Sequence, residues 1–296
     1  MSLGFVLSSY ILLQVAGAFW TKLIAMSDAR GQRLIWQYAF CSIYAALGLI
    51  WTGDYSFTSV PLMLGLGLLN ALACYASWRV FALSLSLGAS FLQLYSIVAL
   101  FLGLTVMAEQ SLFHGFSLSF FLWLGSIGLS VLGTTKIFGG GACPASIKAG
   151  VIGWGAVAVL IWGCTTAVIR MIASGSDASN FPALLSWYSG SFIGAVLLAR
   201  YRISEGFCQR LRWSQLFGVA LYAGYVFASI YFVYALFEVL PLSYSQPVMN
   251  GIQVLVPVLV GAAFFGESDM LDRSKIIGIL MILAAQFIVA AAMFFK

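Results

Sequence analysis

Charge is what this chain has least of. Only 8% of its 296 residues are Asp, Glu, Lys or Arg, nine of them acidic, and His114 is its one histidine. A water-soluble domain covers its surface with far more charge than this, which excludes that class. Hydrolytic chemistry needs a nucleophile with a base, or a metal. No HExxH motif and no phosphate-cradling glycine loop is present. The five cysteines, Cys41, Cys74, Cys143, Cys164 and Cys208, show neither metal-ligand spacing nor a paired framework. The expectation is a protein that is not an enzyme, with no cofactor, no metal and no nucleic-acid partner.

What the chain has in quantity is apolar length. Hydrophobic residues make up 62% of it, and the mean hydropathy is +1.02. They fall into runs of about 20 residues, enough for a helix to cross a hydrocarbon core of ~30 Å. Ten such runs are expected, at 4–26, 34–52, 60–85, 90–108, 115–138, 150–172, 183–201, 215–237, 246–265 and 276–295. The first lacks a basic leader and a small-residue cleavage site, so it reads as a retained span. The expected fold class is an all-α integral membrane protein embedded in a lipid bilayer. Lys22, Arg30, Arg33, Arg79, Lys136, Lys148, the cluster from Arg200 to Arg212, Arg273 and Lys275 lie toward one face of this ten-span arrangement, with Arg170 and Lys296 toward the other. Basic loops stay cytoplasmic, which places both termini outside.

The two halves read as copies. VALFLGLTVMAE (98–109) aligns with VPVLVGAAFFGE (256–267), RVFAL (79–83) with FVYAL (232–236), and TKLIA (21–25) with IRMIA (169–173). GGGACPASIKAG (139–150) lies between them. This divides the chain into a first five-helix repeat (1–138), a connector (139–149) and a second repeat (150–296). A repeat with an odd number of spans must insert upside down, and inverted repeats are an architecture of secondary transporters.

Each half has a basic residue closing its first span, Ala-Leu near the end of its third, and a glycine followed by a closing glutamate in its fourth. In this the chain resembles EamA-type members of the drug/metabolite transporter superfamily. The stretch 234–291 is also similar to the last spans of small multidrug resistance proteins. The resemblance implies ten helices in a basket, a central cavity and alternating access. ILLQVAGAFWTK (11–22) resembles the first helix of the small multidrug resistance proteins, which carry a proton-exchanging glutamate where this chain has Gln14. A glutamine cannot titrate, and neither can Trp162 at the corresponding place in the second copy.

Every acidic residue lies at or beyond an expected span end, so a polyvalent cation fits the cavity poorly. A neutral, zwitterionic or amphipathic solute, amino-acid-like for example, fits better. The candidate substrate-binding residues are Gln14, Trp20, Tyr75, Trp78, Gln93, Tyr95, Trp162, Thr165, Tyr222, Tyr225, Gln246, Asn250 and Gln253. Amides donate and accept hydrogen bonds, and ring faces attract ammonium groups. In one alignment register Gln93 and Gln246 form a matched pair.

Bland readings stand beside these. A membrane amide is often interhelical glue, tryptophans such as Trp36, Trp51, Trp123 and Trp213 near span ends act as interfacial anchors, and Lys22, Arg79 and Arg170 snorkel. Glu109 and Glu267, at helix ends, suit structural hydrogen bonding. Two other functions stay open, a flippase for an amphipathic or lipid-linked molecule and a non-transporting structural membrane protein. The expected location is a bacterial inner membrane, with the protein a monomer or homodimer.

Overall fold

A computed structural model describes residues 3–53, 60–106, 118–139, 144–174, 180–201, 203–204, 210–239, 242–267 and 272–292. Among these residues the fold is all-helical: α1 Leu3–Ala25, α2 Arg30–Thr52, α3 Val60–Leu83, α4 Leu85–Leu92, α5 Tyr95–Thr105, α6 Leu118–Gly139, α7 Ala145–Ser174, α8 Asn180–Arg200, α9 Trp213–Val239, α10 Leu242–Phe264 and α11 Arg273–Ala292. Seven spans among them are long and apolar enough to cross a membrane. Large apolar side chains face outward, such as Leu12 at 72% exposure and Phe287 at 75%. This outward apolar surface is what lipid requires, and it marks a helical membrane protein.

Local chemistry ends and starts the helices. Gly53 takes a φ of 68° after α2, and its N–H donates to the Leu49 carbonyl at 2.9 Å. A side chain with a Cβ rarely adopts that conformation. Ser84 turns α3 directly into α4 as an N-cap, its hydroxyl accepting from the Leu87 N–H at 3.2 Å.

Two compact units result. Unit 1 is Met1–Trp78 with Val168–Val239, and unit 2 is Arg79–Ala167 with Leu240–Lys296. Each unit draws helices from both sequence halves, so compactness follows long-range pairing rather than chain order. In unit 1, α2 packs on α8 and α9, and α1 on α9. The crossing of α3 and α8 is close enough that a Cβ on Gly190 would stand 2.1 Å from the Leu64 carbonyl oxygen.

In unit 2, α6 pairs with α11, and α10 with α4, α5 and α11. A Cβ on Gly133 would meet the Gly278 carbonyl oxygen at 2.6 Å, and one on Gly278 the Gly133 oxygen at 2.6 Å. Each glycine also faces the isoleucine four residues after the other, Ile282 and Ile137. The contact is therefore a local two-fold, with backbones touching because neither residue has a side chain. Around it Leu87, Ile137, Val254, Val258, Ile279 and Ile282 form the buried core.

Candidate functional site

In unit 1 the candidates lie on a polar seam between α1 and α9. The Gln14 amide donates from Nε2 to Ser229 Oγ at 3.0 Å. Two turns on, Thr21 Oγ1 and the Tyr222 hydroxyl are 3.0 Å apart. Between them Gly17 leaves room for the Tyr225 ring, whose Cζ would be 1.9 Å from any Cβ there. Residues 14, 17 and 21 thus meet 229, 225 and 222, an antiparallel register on one α1 face. Tyr222 packs its ring 5.6 Å from Tyr225 and 6.3 Å from Trp78. Tyr75 and Trp78 are enclosed one turn apart on α3, and Trp20 is half-buried.

A second polar cluster in unit 1 has no signal in the sequence. Asn70 Nδ2 donates to the Tyr38 hydroxyl at 3.0 Å and to Ser191 Oγ at 3.2 Å. Three helices, α2, α3 and α8, supply these groups.

In unit 2 the fourth expected span is not one continuous helix. A 3₁₀ turn separates α4 from α5: Leu94 N–H donates to the Phe91 carbonyl at 3.0 Å and Ser96 N–H to the Gln93 carbonyl at 3.1 Å. The Ser96 hydroxyl donates to that same carbonyl at 2.7 Å, competing with the α-helical pattern. Gln93, 3% exposed, donates from Nε2 to Thr134 Oγ1 at 3.1 Å. The Thr134 hydroxyl in turn donates to the Ser130 carbonyl at 2.9 Å.

Immediately after the turn, the Tyr95 hydroxyl donates to Gln253 Oε1 at 3.1 Å. The Tyr95 ring meets Trp162 edge-on at 6.2 Å between centroids. Gly163 makes this approach possible, since a Cβ on it would lie 2.8 Å from the Tyr95 carbonyl oxygen. Asn250 is buried one turn from Gln253 on α10. Four residues beyond Gln253 stands Pro257, which has no N–H to give the Gln253 carbonyl in a helix. Thr165 turns its hydroxyl to the Ile161 carbonyl of its own helix at 2.9 Å, so it is committed locally. The Gln246 side chain lies outside the described ones, and with it the proposed match to Gln93.

The helix ends hold the charges. Glu267 accepts from Ser84 Oγ at 3.1 Å, Leu85 N–H at 2.8 Å and Ser86 N–H at 2.8 Å. A carboxylate at the α4 N-terminus complements the exposed N–H groups and the positive helix end. This is the structural role expected of it; its repeat counterpart Glu109 lies outside the described residues. The Arg170 guanidinium donates to the Phe237 carbonyl, and Arg79 sits 5.3 Å from the Trp154 ring centroid.

Two expectations need correction. Lys22 is only 5% exposed, enclosed by protein rather than reaching outward as an anchor does. Trp123 is likewise 5% exposed, packed with Leu100 in a small core against Phe120 and Ile127. Trp51 and Trp213, at 91% and 86% exposure, do have the outward placement of anchors. Among described carboxylates, Asp28 and Asp272 are exposed and Glu267 caps α4, so none of the three belongs to the amide clusters.

No protein-family model matches the chain, and no curated protein matches it in sequence. One solved structure, described only as "Crystal structure of protein", aligns over 96% of this chain and 97% of its own with a TM-score of 0.60 and 13% sequence identity. At that identity the likeness is one of fold alone, extending over nearly the whole of both chains.

Proposed function

We propose that this chain is a secondary membrane transporter that moves a small neutral, zwitterionic or amphipathic organic solute by alternating access. The observation that carries the reading is the interrupted fourth span, where a 3₁₀ turn near the middle of the span sits among Gln93, Thr134, Tyr95 and Gln253. Discontinuous spans beside buried polar groups are how transporters form solute sites, and 3₁₀ segments inside helices mark hinges. Paired amides alone also suit interhelical glue, and it is the break in the span beside them that favours a solute site over a purely structural bundle.

An inverted repeat of five spans has support in the packing. In a two-fold arrangement equivalent helices meet at the axis, and here the second helices of each half, α2 and α8, pack together, as do the last, α6 and α11. The mutual Gly133–Gly278 contact has the same local symmetry. On this reading the chain is a ten-span carrier similar to the drug/metabolite transporters, set in a bacterial inner membrane with both termini outside.

The coupling follows from the neutral site. Without a carboxylate among the described site groups, transport proceeds as facilitation or exchange rather than by proton antiport. Proteoliposomes tested with amino acids, nucleosides and cationic drugs, with and without a pH gradient, decide this. Saturable uptake of a neutral or zwitterionic solute in the absence of a gradient is expected. Strict dependence on the gradient would contradict the coupling, and movement of labelled lipid with no solute uptake would favour a flippase.

A further inference from the structure

The two halves of the interrupted span are held differently. α4 is clamped at its N-terminus by the three hydrogen bonds to Glu267 and at its C-terminal end by Gln93 on Thr134. Its residues Leu85 to Ser90 are all buried, and Leu87 belongs to the unit 2 core. α5 instead carries exposed positions toward its end, with Phe101 at 63% and Val106, its C-cap, at 60%, while Leu100 next to Phe101 packs in the small core with Trp123. Its first residue, Tyr95, ties it to α10 through Gln253.

We infer that the 3₁₀ turn at Gln93 and Leu94 is a hinge latched by the Tyr95–Gln253 hydrogen bond, and that the solute opens the latch with an N–H or O–H donor that replaces the phenol on Gln253 Oε1. This rests on the transport reading above. The geometry of the switch follows from helix dimensions: a 3₁₀ residue turns 120° and rises ~2.0 Å, an α residue 100° and ~1.5 Å. Rewinding two residues therefore rotates α5 by about 40° relative to α4 and shortens the span by about 1 Å. A rotation of that size swings the Tyr95 ring out of its edge contact with Trp162 while α4 stays fixed. The acceptor chemistry sets the solute class. The amide oxygen replaces the departing phenol O–H with an N–H or O–H of the solute, which an amino-acid-like ammonium supplies and a quaternary ammonium does not.

The test is hydrogen exchange of the full-length protein in nanodiscs, followed separately over 85–92 and 95–105. Tyr95→Phe removes only the hydroxyl, and Gln253→Leu removes the acceptor. Both are expected to speed exchange in 95–105 roughly fivefold, the equivalent of one hydrogen bond, and to leave 85–92 unchanged. No change in 95–105, or an equal change in both segments, overturns the hinge. L-phenylalanine is expected to speed exchange in 95–105 of the wild type, while its N-trimethyl betaine, of the same charge and ring but without N–H donors, has no effect. Equal effects of the two, or an effect of neither, overturn the assignment of the donor. A working latch with no solute transported would sink the transport reading alone, and transport with an immobile α5 would sink the latch alone.

Discussion

Removing the carboxylate of Glu267 tests how the interrupted span is anchored. Glu267→Ala leaves the Leu85 and Ser86 N–H groups without their acceptor, on residues only 1% and 0% exposed. Each buried donor left unmade costs ~1–3 kcal/mol, so the pair costs about 2–6 kcal/mol. Ser84 softens the loss little, because its hydroxyl already serves the Leu87 N–H. At roughly 2 °C per kcal/mol for a chain of this size, the purified protein should melt about 4–12 °C lower. Glu267→Gln keeps one acceptor oxygen but sets an NH₂ group against an N–H donor, and should lose about half as much. Thermal unfolding in detergent, followed by intrinsic fluorescence, measures both. A shift below roughly 1 °C for Glu267→Ala would refute the view that these bonds hold α4 in place.

Other perturbations separate contact from chemistry. Gly133→Ala places a Cβ 2.6 Å from the Gly278 carbonyl oxygen, forcing α6 and α11 apart at a cost of ~1–3 kcal/mol; Gly125→Ala, with nothing within 4 Å, is the neutral control, and equal melting temperatures would count against the two-fold contact. Gln14→Leu breaks the bond to Ser229 and should cost only ~0.6 kcal/mol, as interhelical amides in membranes do. Gln14→Glu instead introduces a carboxyl that ionises as pH rises, and an ionised group at mid-membrane costs ~2.5–3.5 kcal/mol. Relative to the wild type its stability should therefore fall with rising pH, and parallel pH profiles would contradict the burial of this seam. Asn70→Leu should destabilise unit 1 more than Gln14→Leu, because it removes donors to both Tyr38 and Ser191; the order of their melting temperatures checks it.

Helical class and the places of several long apolar helices were legible because membrane thickness dictates run length. The expected 34–52 and 60–85 runs meet α2 and α3 within a few residues. The interruption at Gln93 was not, since neither glycine nor proline marks it; it arises where the Ser96 hydroxyl takes the Gln93 carbonyl and α6 supplies Thr134. Gln14 could be seen to need a partner, but Ser229 lies 215 residues away. Trp123 was misread because a helix apolar all round gives no periodicity to tell a lipid-facing ring from a packed one. The closing glutamate of the repeat was legible as a helix-end group, and only the fold shows that the helix it caps is α4.

The most direct test is exchange of a labelled solute across proteoliposomes, comparing wild type, Gln253→Leu and Gln14→Leu at matched amounts of folded protein. Gln253→Leu should lower kcat/KM by about tenfold or more, the value of ~1.4 kcal/mol at a buried polar contact, while Gln14→Leu stays near wild type. Undiminished transport by Gln253→Leu, or an equal loss in both variants, would contradict the placement of the solute at the interrupted span.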